Sequence, residues 1–344
     1  MSRRALTLLV AGIGAAVLAV TGAVLPVPYV VLSPGPTINT LGSFQHKKLI
    51  EVTGHRVYPT TGNLNLVTVS FQGGPGDEIN LFTALQAWLS PHDAVVPQEE
   101  LFGKNTNVKQ VQQQNVQEMT NSQELATAAA LTQLKIPFQK SVGITRIAKG
   151  MPADGKLETG DLITAVDGKA VGGNSDLAAR LIHSRKPGAP VVLTISRSGK
   201  QQKVQLATKP QNGQAVVGVV VAEQFKFPFK VKIRVGDIGG PSAGMMFALG
   251  LVDMLSPENL TGGKFIAGTG EIDQFGDVGP IGGIEQKMVG ARNQGATVFL
   301  APAGNCADVR GAIPDGLSVV KVSTLGQAVQ DLKAINAHKP VPSC

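Results

Sequence analysis

Aromatic residues make up only 4% of the 344-residue chain. Its core therefore cannot rest on large rings, and packing falls to Val, Ile, Leu and the close backbone approach that abundant Gly and Ala allow. Cysteine is scarcer still. Cys306 and Cys344 are the only two, and no His or basic residue flanks either to lower a thiol pKa, which excludes a catalytic role; a bridge tying down the tail and two free thiols both fit. The histidines His46, His55, His92, His183 and His338 show no ligand spacing, so no metal is expected. The formal net charge of +7 comes without a dense basic cluster, its sources scattered through Lys47, Lys104, Lys149, Arg197, Lys226 and Lys321. No nucleic-acid partner is expected from that pattern, and a surface over anionic lipid headgroups suits it better. The G-x-x-x-x-G-K-[ST] phosphate loop is also missing, so no nucleotide and no other cofactor is expected.

What is present begins with Ala5 to Val27, which carries no charged side chain and as a helix is long enough to cross a hydrocarbon core of about 30 Å. Arg3 and Arg4 precede it, and the positive-inside rule then puts the N-terminus in the cytoplasm and the body outside, at the cell membrane. A cleaved signal peptide is the rival reading, and it too exports the body. Tyr29 to Asn39 reads as an extended Pro/Gly stalk. His55 to Phe71 reads as a hairpin turning at Thr60 to Asn63. Asn107 to Leu134, free of Pro and Gly, reads as a helix stopped by Pro137.

From Ser141 to Lys209 short strands alternate with turns: Val142 to Ile147, Leu162 to Val166, Val191 to Ser196 and Val204 to Ala207, with a helix over Ser175 to Ser184. This segment resembles a PDZ domain of the bacterial protease type, on Met151, Pro152, Ala153, Asp154, then Leu157, Gly160, Asp161, Leu162, Ile163, then Val166, Asp167, Gly168, and Arg197, Ser198, Gly199, Lys200. The resemblance implies a groove for an extended peptide between a strand and a helix. Val142, Gly143 and Ile144 are its expected strand side, Leu177 and Leu181 its helix side.

Beyond Val216 the pattern turns to alternating strand and helix, over Val231 to Val235, Ser242 to Leu255, Phe265 to Ile272, Ile281 to Gln294 and Thr297 to Ala301, an α/β or α+β domain. Gly239, Gly240, Pro241, Ser242, Ala243, Gly244 runs into a helix apolar on every side until Asp253, which must be buried. Ser242 then stands where free backbone N–H groups collect, able to hold an oxyanion, or serving only as a helix cap. In Pro280 to Ala291, Lys287 shares a helix face with Ile284, Met288 and Ala291 where an apolar residue is called for. Burial there would release a free amine near neutral pH; a packed stem with its head in water is the alternative. A neutral lysine can deprotonate a serine without histidine.

Gly240 to Gly244, Thr269 to Ile272, and Pro280 to Ala291 with Lys287 resemble the proteolytic domain of Lon proteases. With the PDZ segment, the chain looks like the membrane-anchored, PDZ-containing Lon-like proteases. That resemblance implies an α+β fold, Ser242 as nucleophile, Lys287 as base and Thr269 supporting the lysine amine, with Gly240 and Ala243 beside the nucleophile. It implies an endopeptidase for peptides or proteins outside the membrane, leaves ring assembly of identical subunits open, and places Arg56 to Phe71 in the protease fold, which makes the PDZ segment an insertion. One departure stands out: Gly240 occupies the position where many Lon sequences carry an acid, the nearest here being Asp237. The expected division is an anchor over 1–27, a stalk and first part of the protease over 28–137, PDZ over 138–210 and the Lon-like domain over 211–344. Two other readings remain: a PDZ adaptor or chaperone without catalysis, and an α/β-hydrolase, since Gly240 to Gly244 fits G-x-S-x-G with Asp308 or Asp315 and His338 following.

Overall fold

A computed structural model describes residues 3–103 and 107–344; Lys104, one of the scattered bases, lies outside them. The chain forms two compact units, one from 1–136 together with 229–344, the other from 137–228. The first unit is thus discontinuous in sequence, and the second is inserted into it.

The N-terminal helix Arg3–Val24 has a mean hydropathy of 2.2 over its most apolar window and is almost wholly exposed. The expected stalk after it is instead part of the fold. Tyr29–Asn39 is a strand inside a six-stranded sheet, in the order Ser318–Val322, Val298–Pro302, Phe265–Gly268, Asn63–Gln72, Tyr29–Asn39, Ala94–Pro97. The first four are mutually parallel; the last two join antiparallel. Val30 and Val31 are buried there, and the prolines are tolerated because the register shifts between Pro34 and Thr37, where a ladder bond need not be donated. The expected hairpin over His55 to Phe71 is likewise a single strand, Asn63–Gln72. Its first half is buried on both faces, as parallel pairing under helices requires.

Helices cover both faces. Ala267 packs with Ile284, Met288 and Ala291 of the helix Ile284–Asn293, whereas at the next residue, Gly268, a Cβ would stand 2.8 Å from Met246 Sδ of the helix Gly244–Leu255. All twelve residues of that second helix are buried, under the long helix Val108–Gln133 and the helix Leu325–Asn336. The long helix opens with a capping box between Asn107 and Gln110.

The second unit is an antiparallel sheet in the order Lys200–Ala207, Pro190–Arg197, Leu162–Val166, Gln139–Ile147, Val219–Lys226. Its core gathers Val142, Ile144, Ile163, Val166, Val191, Leu193, Ile195 and Leu206 with Ala178 and Ile182 of the helix Ser175–His183. Arg197 holds Asp161 through two hydrogen bonds of 2.7 Å and pairs with Glu158, and the hydrogen bond from Arg197 holds the Asp161 carboxyl below its usual pKa. The boundary expected at residue 210 falls at 228. Val219–Lys226 pairs with Gln139–Ile147 along its whole length and belongs to this sheet.

Candidate active site

The parallel strand Phe265–Gly268 stops at the point where chemistry becomes available. The run expected to continue to Ile272 breaks after Thr269, whose N–H makes the last ladder bond, to Leu300 O (3.2 Å), while the N–H of Gly270 turns away to Ser242 O (2.8 Å). Thr269, fully buried, also donates its hydroxyl to Ser242 O at 3.0 Å. The carboxyl end of a parallel strand is where segments from opposite faces of a sheet can meet. Here the residues before the Gly244–Leu255 helix arrive from one face and the Ile284–Asn293 helix from the other.

Lys287 Nζ lies 3.0 Å from Ser242 Oγ and 3.4 Å from Thr269 Oγ1. Lys287 is 4% exposed, and burial pushes its amine down from the usual 10.5 to about 8, against the opposing pull of the Glu271 carboxylate. The snorkelling alternative does not describe this lysine. Nor is Ser242 a helix cap: the cap position is Ala243, with no side-chain cap bond, and the helix begins at Gly244. Ser242 is half-buried, at the wall of a cleft of about 580 Å³ that Lys287, Glu271 and Asp237 also line. Among the described residues the N–H groups of Ser242 and Ala243 have no hydrogen-bond acceptor, so both are available to a ligand oxygen.

The loop around Ser242 is held from the long helix. Ser122 Oγ donates to Pro241 O at 3.0 Å, and Gly240 N donates to Asn115 O at 3.2 Å. Gly240 has φ +86, a conformation that costs an acidic side chain about 1 kcal/mol or more, so an acid here would strain the loop. Negative charge comes instead from Glu271, which the sequence offered only as part of a motif. Burial raises its pKa, as does Glu118, while Lys287 opposes the rise. Gly283, with φ +66, starts the Lys287 helix, and a Cβ there would come 2.8 Å from Val69 Cγ2. That contact sets the lysine helix directly against the strand Asn63–Gln72.

Only Asn63 to Leu66 of that strand pairs with Phe265–Gly268. From Val67 to Phe71 the same flank carries no strand among the described residues, and Val67, Thr68, Val69, Ser70 and Phe71 line the cleft. His338, Asp308 and Asp315 are not among the cleft residues, and the backbone leaves its last strand at Ile233, well before Ser242. A strand–serine–helix elbow is absent there.

In the second unit the expected groove is displaced. Val142, Gly143 and Ile144 are paired on one flank with Val219–Lys226, and Val142 and Gly143 on the other with Leu162–Val166, so their strand has no edge to offer. The edge is Val219–Lys226. A groove of about 120 Å³ runs between Val216 to Val219 with Val221 on that side and Ala178, Ala179, Ile182 and His183 on the helix side. Leu177 and Leu181 lie on the helix but outside this lining, and Leu181 packs against the core. Val219–Lys226 alternates half-buried and exposed residues, but three successive valines and Glu223 on the half-buried side leave no matching alternation in the sequence. Cys306 and Cys344 are bonded to each other, with Cα atoms 5.0 Å apart.

Residues 106–208 match the family model for the PDZ domain, and residues 229–334 match the Lon protease (S16) C-terminal proteolytic domain. Lon protease 1 of Bacillus subtilis (strain 168) is 28% identical over 187 residues, 51% of this chain and 24% of that protein. Lon protease 1 of Sorangium cellulosum (strain So ce56) is 41% identical over 93 residues, 26% of this chain and 11% of that protein. The chain thus spans a quarter or less of the length of these relatives. Among solved structures, the PDZ domain of the SdrC-like protein (Lin2157) from Listeria innocua is 26% identical, over 24% of this chain and 92% of that chain, with a TM-score of 0.22. The chain carries a PDZ domain and a Lon-type proteolytic domain.

Proposed function

We propose that this protein is a serine endopeptidase that cleaves extended peptides or unfolded proteins with Ser242 as nucleophile and Lys287 as general base, held outside the membrane by its N-terminal helix. One observation carries the reading: a buried lysine amine 3.0 Å from a half-buried serine hydroxyl, with its pKa near 8. As the neutral amine, Lys287 accepts the hydroxyl proton while Ser242 Oγ attacks the scissile carbonyl carbon. The oxygen becomes an anion, which the N–H groups of Ser242 and Ala243 receive. The ammonium then gives its proton to the departing amine, leaving an acyl-serine. A water molecule, deprotonated by the same amine, releases the acid and restores the serine. Thr269 orients the amine, and Glu271 holds a compensating charge beside the ammonium formed midway.

The open flank of Val67 to Phe71 suits an extended substrate that adds as a further strand, because its backbone groups there have no strand partner. Pairing along that flank requires an extended backbone, so the substrates proposed are chains already unfolded. The PDZ groove along Val219–Lys226 supports selection of such chains by the same kind of pairing. Arg3 and Arg4 in the first turn of the apolar helix favour a cytoplasmic N-terminus.

The test is cleavage of an unstructured protein by the full chain. Ser242→Ala and Lys287→Ala each lower the rate by about a thousandfold or more while leaving the thermal transition in place. Cleavage at the parental rate by both variants would leave a PDZ adaptor as the better description.

A further inference from the structure

The short helix Leu81–Trp88 is built inside out. Its small residues Ala84 and Ala87 face inward, packing with Val31 and Ile79 and against Val27 and Val95. Its large residues face outward: Leu81, Phe82, Leu85, Trp88 and the capping Leu89 are all exposed, Trp88 at 72% and Leu89 at 78%. At 100° per residue these five fall within one arc of about 120°. The helix has no charged residue. A helix stabilised only by its own unit would turn the larger apolar face inward.

Its position says what covers that face. Gly22 is the buried residue of the N-terminal helix, and a Cβ there would stand 3.2 Å from the Phe82 ring and 3.8 Å from Leu81 Cδ2. Just beyond, Pro26 and Val27 pair with Asn80 and Ile79, the residues that lead into the helix. Asn80 caps it by accepting from Thr83 N at 2.9 Å. The outward face is therefore fixed at the level of the last turn of Arg3–Val24. If that helix crosses a bilayer, its last turn lies at the membrane–water boundary, where tryptophan and an apolar helix face are both favoured.

We propose that Leu81–Trp88 lies in the outer membrane interface as a second foothold, its exposed face among lipid acyl chains, so that the proteolytic unit is seated on the bilayer rather than tethered above it. This rests on the membrane-anchor reading of Arg3–Val24.

Trp88 is the single tryptophan of the chain, so its fluorescence reports this face alone. The full chain is reconstituted into phosphatidylcholine vesicles, with lipids brominated at shallow or deep acyl positions. Shallow bromines are expected to quench Trp88 by about half and deep ones less, as an interfacial depth requires. In the double variant Leu85→Glu with Leu89→Glu, both sites being exposed, quenching is expected to fall at least about twofold while the protein still floats with the vesicles after alkaline washing. An unquenched Trp88 in protein that resists alkaline extraction overturns the proposal and leaves the anchor intact. Protection of Trp88 that depends on protein concentration and not on brominated lipid also overturns it, in favour of a second copy on this face. Release of the parent chain by alkaline washing removes the anchor reading and this inference with it.

Discussion

Taken alone, Ser242 and Lys287 are each ambiguous, and the structure shows which local rule yields. The serine lies one residue before the cap, so its hydroxyl is free of the helix. The lysine head stays buried at 4% exposure because its helix is pressed on the strand Asn63–Gln72 at Gly283. On the proposed mechanism the free amine is the working form, so the rate should climb as pH rises through about 8. The Glu271 carboxylate holds the ammonium in place, so Glu271→Gln should move that limb to lower pH; pH–rate profiles of parent and variant check both. A second buried titrating group lies at the far end of the Gly244–Leu255 helix. Asp253 accepts Leu260 N at 2.6 Å through Oδ1, its Oδ2 has no partner, and burial raises its pKa from 3.8 to about 6. A raised carboxylate pKa means the folded state holds the proton more tightly than the unfolded chain. The stability it contributes is full below about 3.8 and is lost as pH climbs through 6, on the order of 2 to 3 kcal/mol. Thermal unfolding of Asp253→Asn across pH 4 to 7.5 should lack that part of the parent's decline.

Among elements, the edge strand Val219–Lys226 is the one on which the proposed peptide binding of the PDZ unit depends. The family match ends at residue 208, and the boundary expected from the sequence lies nearby at 210, which puts the strand in the wrong domain. Its three successive valines suit a strand; its partner, some eighty residues earlier, was not legible. Pairing of that range depends on which edge is left vacant once the other strands are placed, and local pattern carries no such information. Ala179→Phe, which fills the groove from the helix side, should weaken binding of extended peptides to the full chain by about tenfold, by analogy with the loss of a pocket contact. Its cleavage of a short unselected peptide should stay at the parental rate; titration and cleavage assays check the two halves. The break at Thr269 and Gly270 is a second element-scale event. The run from Phe265 was read through to Ile272, and it stops because Ser242 O claims the N–H of Gly270 once Thr269 N has made the last ladder bond to Leu300 O.

For the whole molecule, the Cys306–Cys344 bond closes a loop with a sequence separation of 38. It fastens a tail that also lies beside the sheet, through the bridge of Val320 with Ser343 and the bond from Lys321 N to Pro342 O. Reduction, or Cys344→Ser, should lower stability by about 3 to 4 kcal/mol through the freed unfolded chain, read as a fall in the midpoint of denaturant unfolding. The same scale separates what the sequence determined from what folding decided. Composition and periodicity were enough for the apolar N-terminal helix, the long capped helix, the short strands of the inserted unit and the buried helix after Ser242, because each is written in residues close together. The stalk that became a central strand, the hairpin that became one strand and the true edge of the PDZ sheet were decided only by tertiary structure. In each case a strand's faces and flanks are set by partners distant in the chain, and the insertion of residues 137–228 further separates Asn63–Gln72 from its partner Phe265–Gly268. Ser242 and Lys287 fall between the two. Their identity and spacing were legible, but the 3.0 Å between them exists only because a parallel strand ends at Thr269 with one helix on each face.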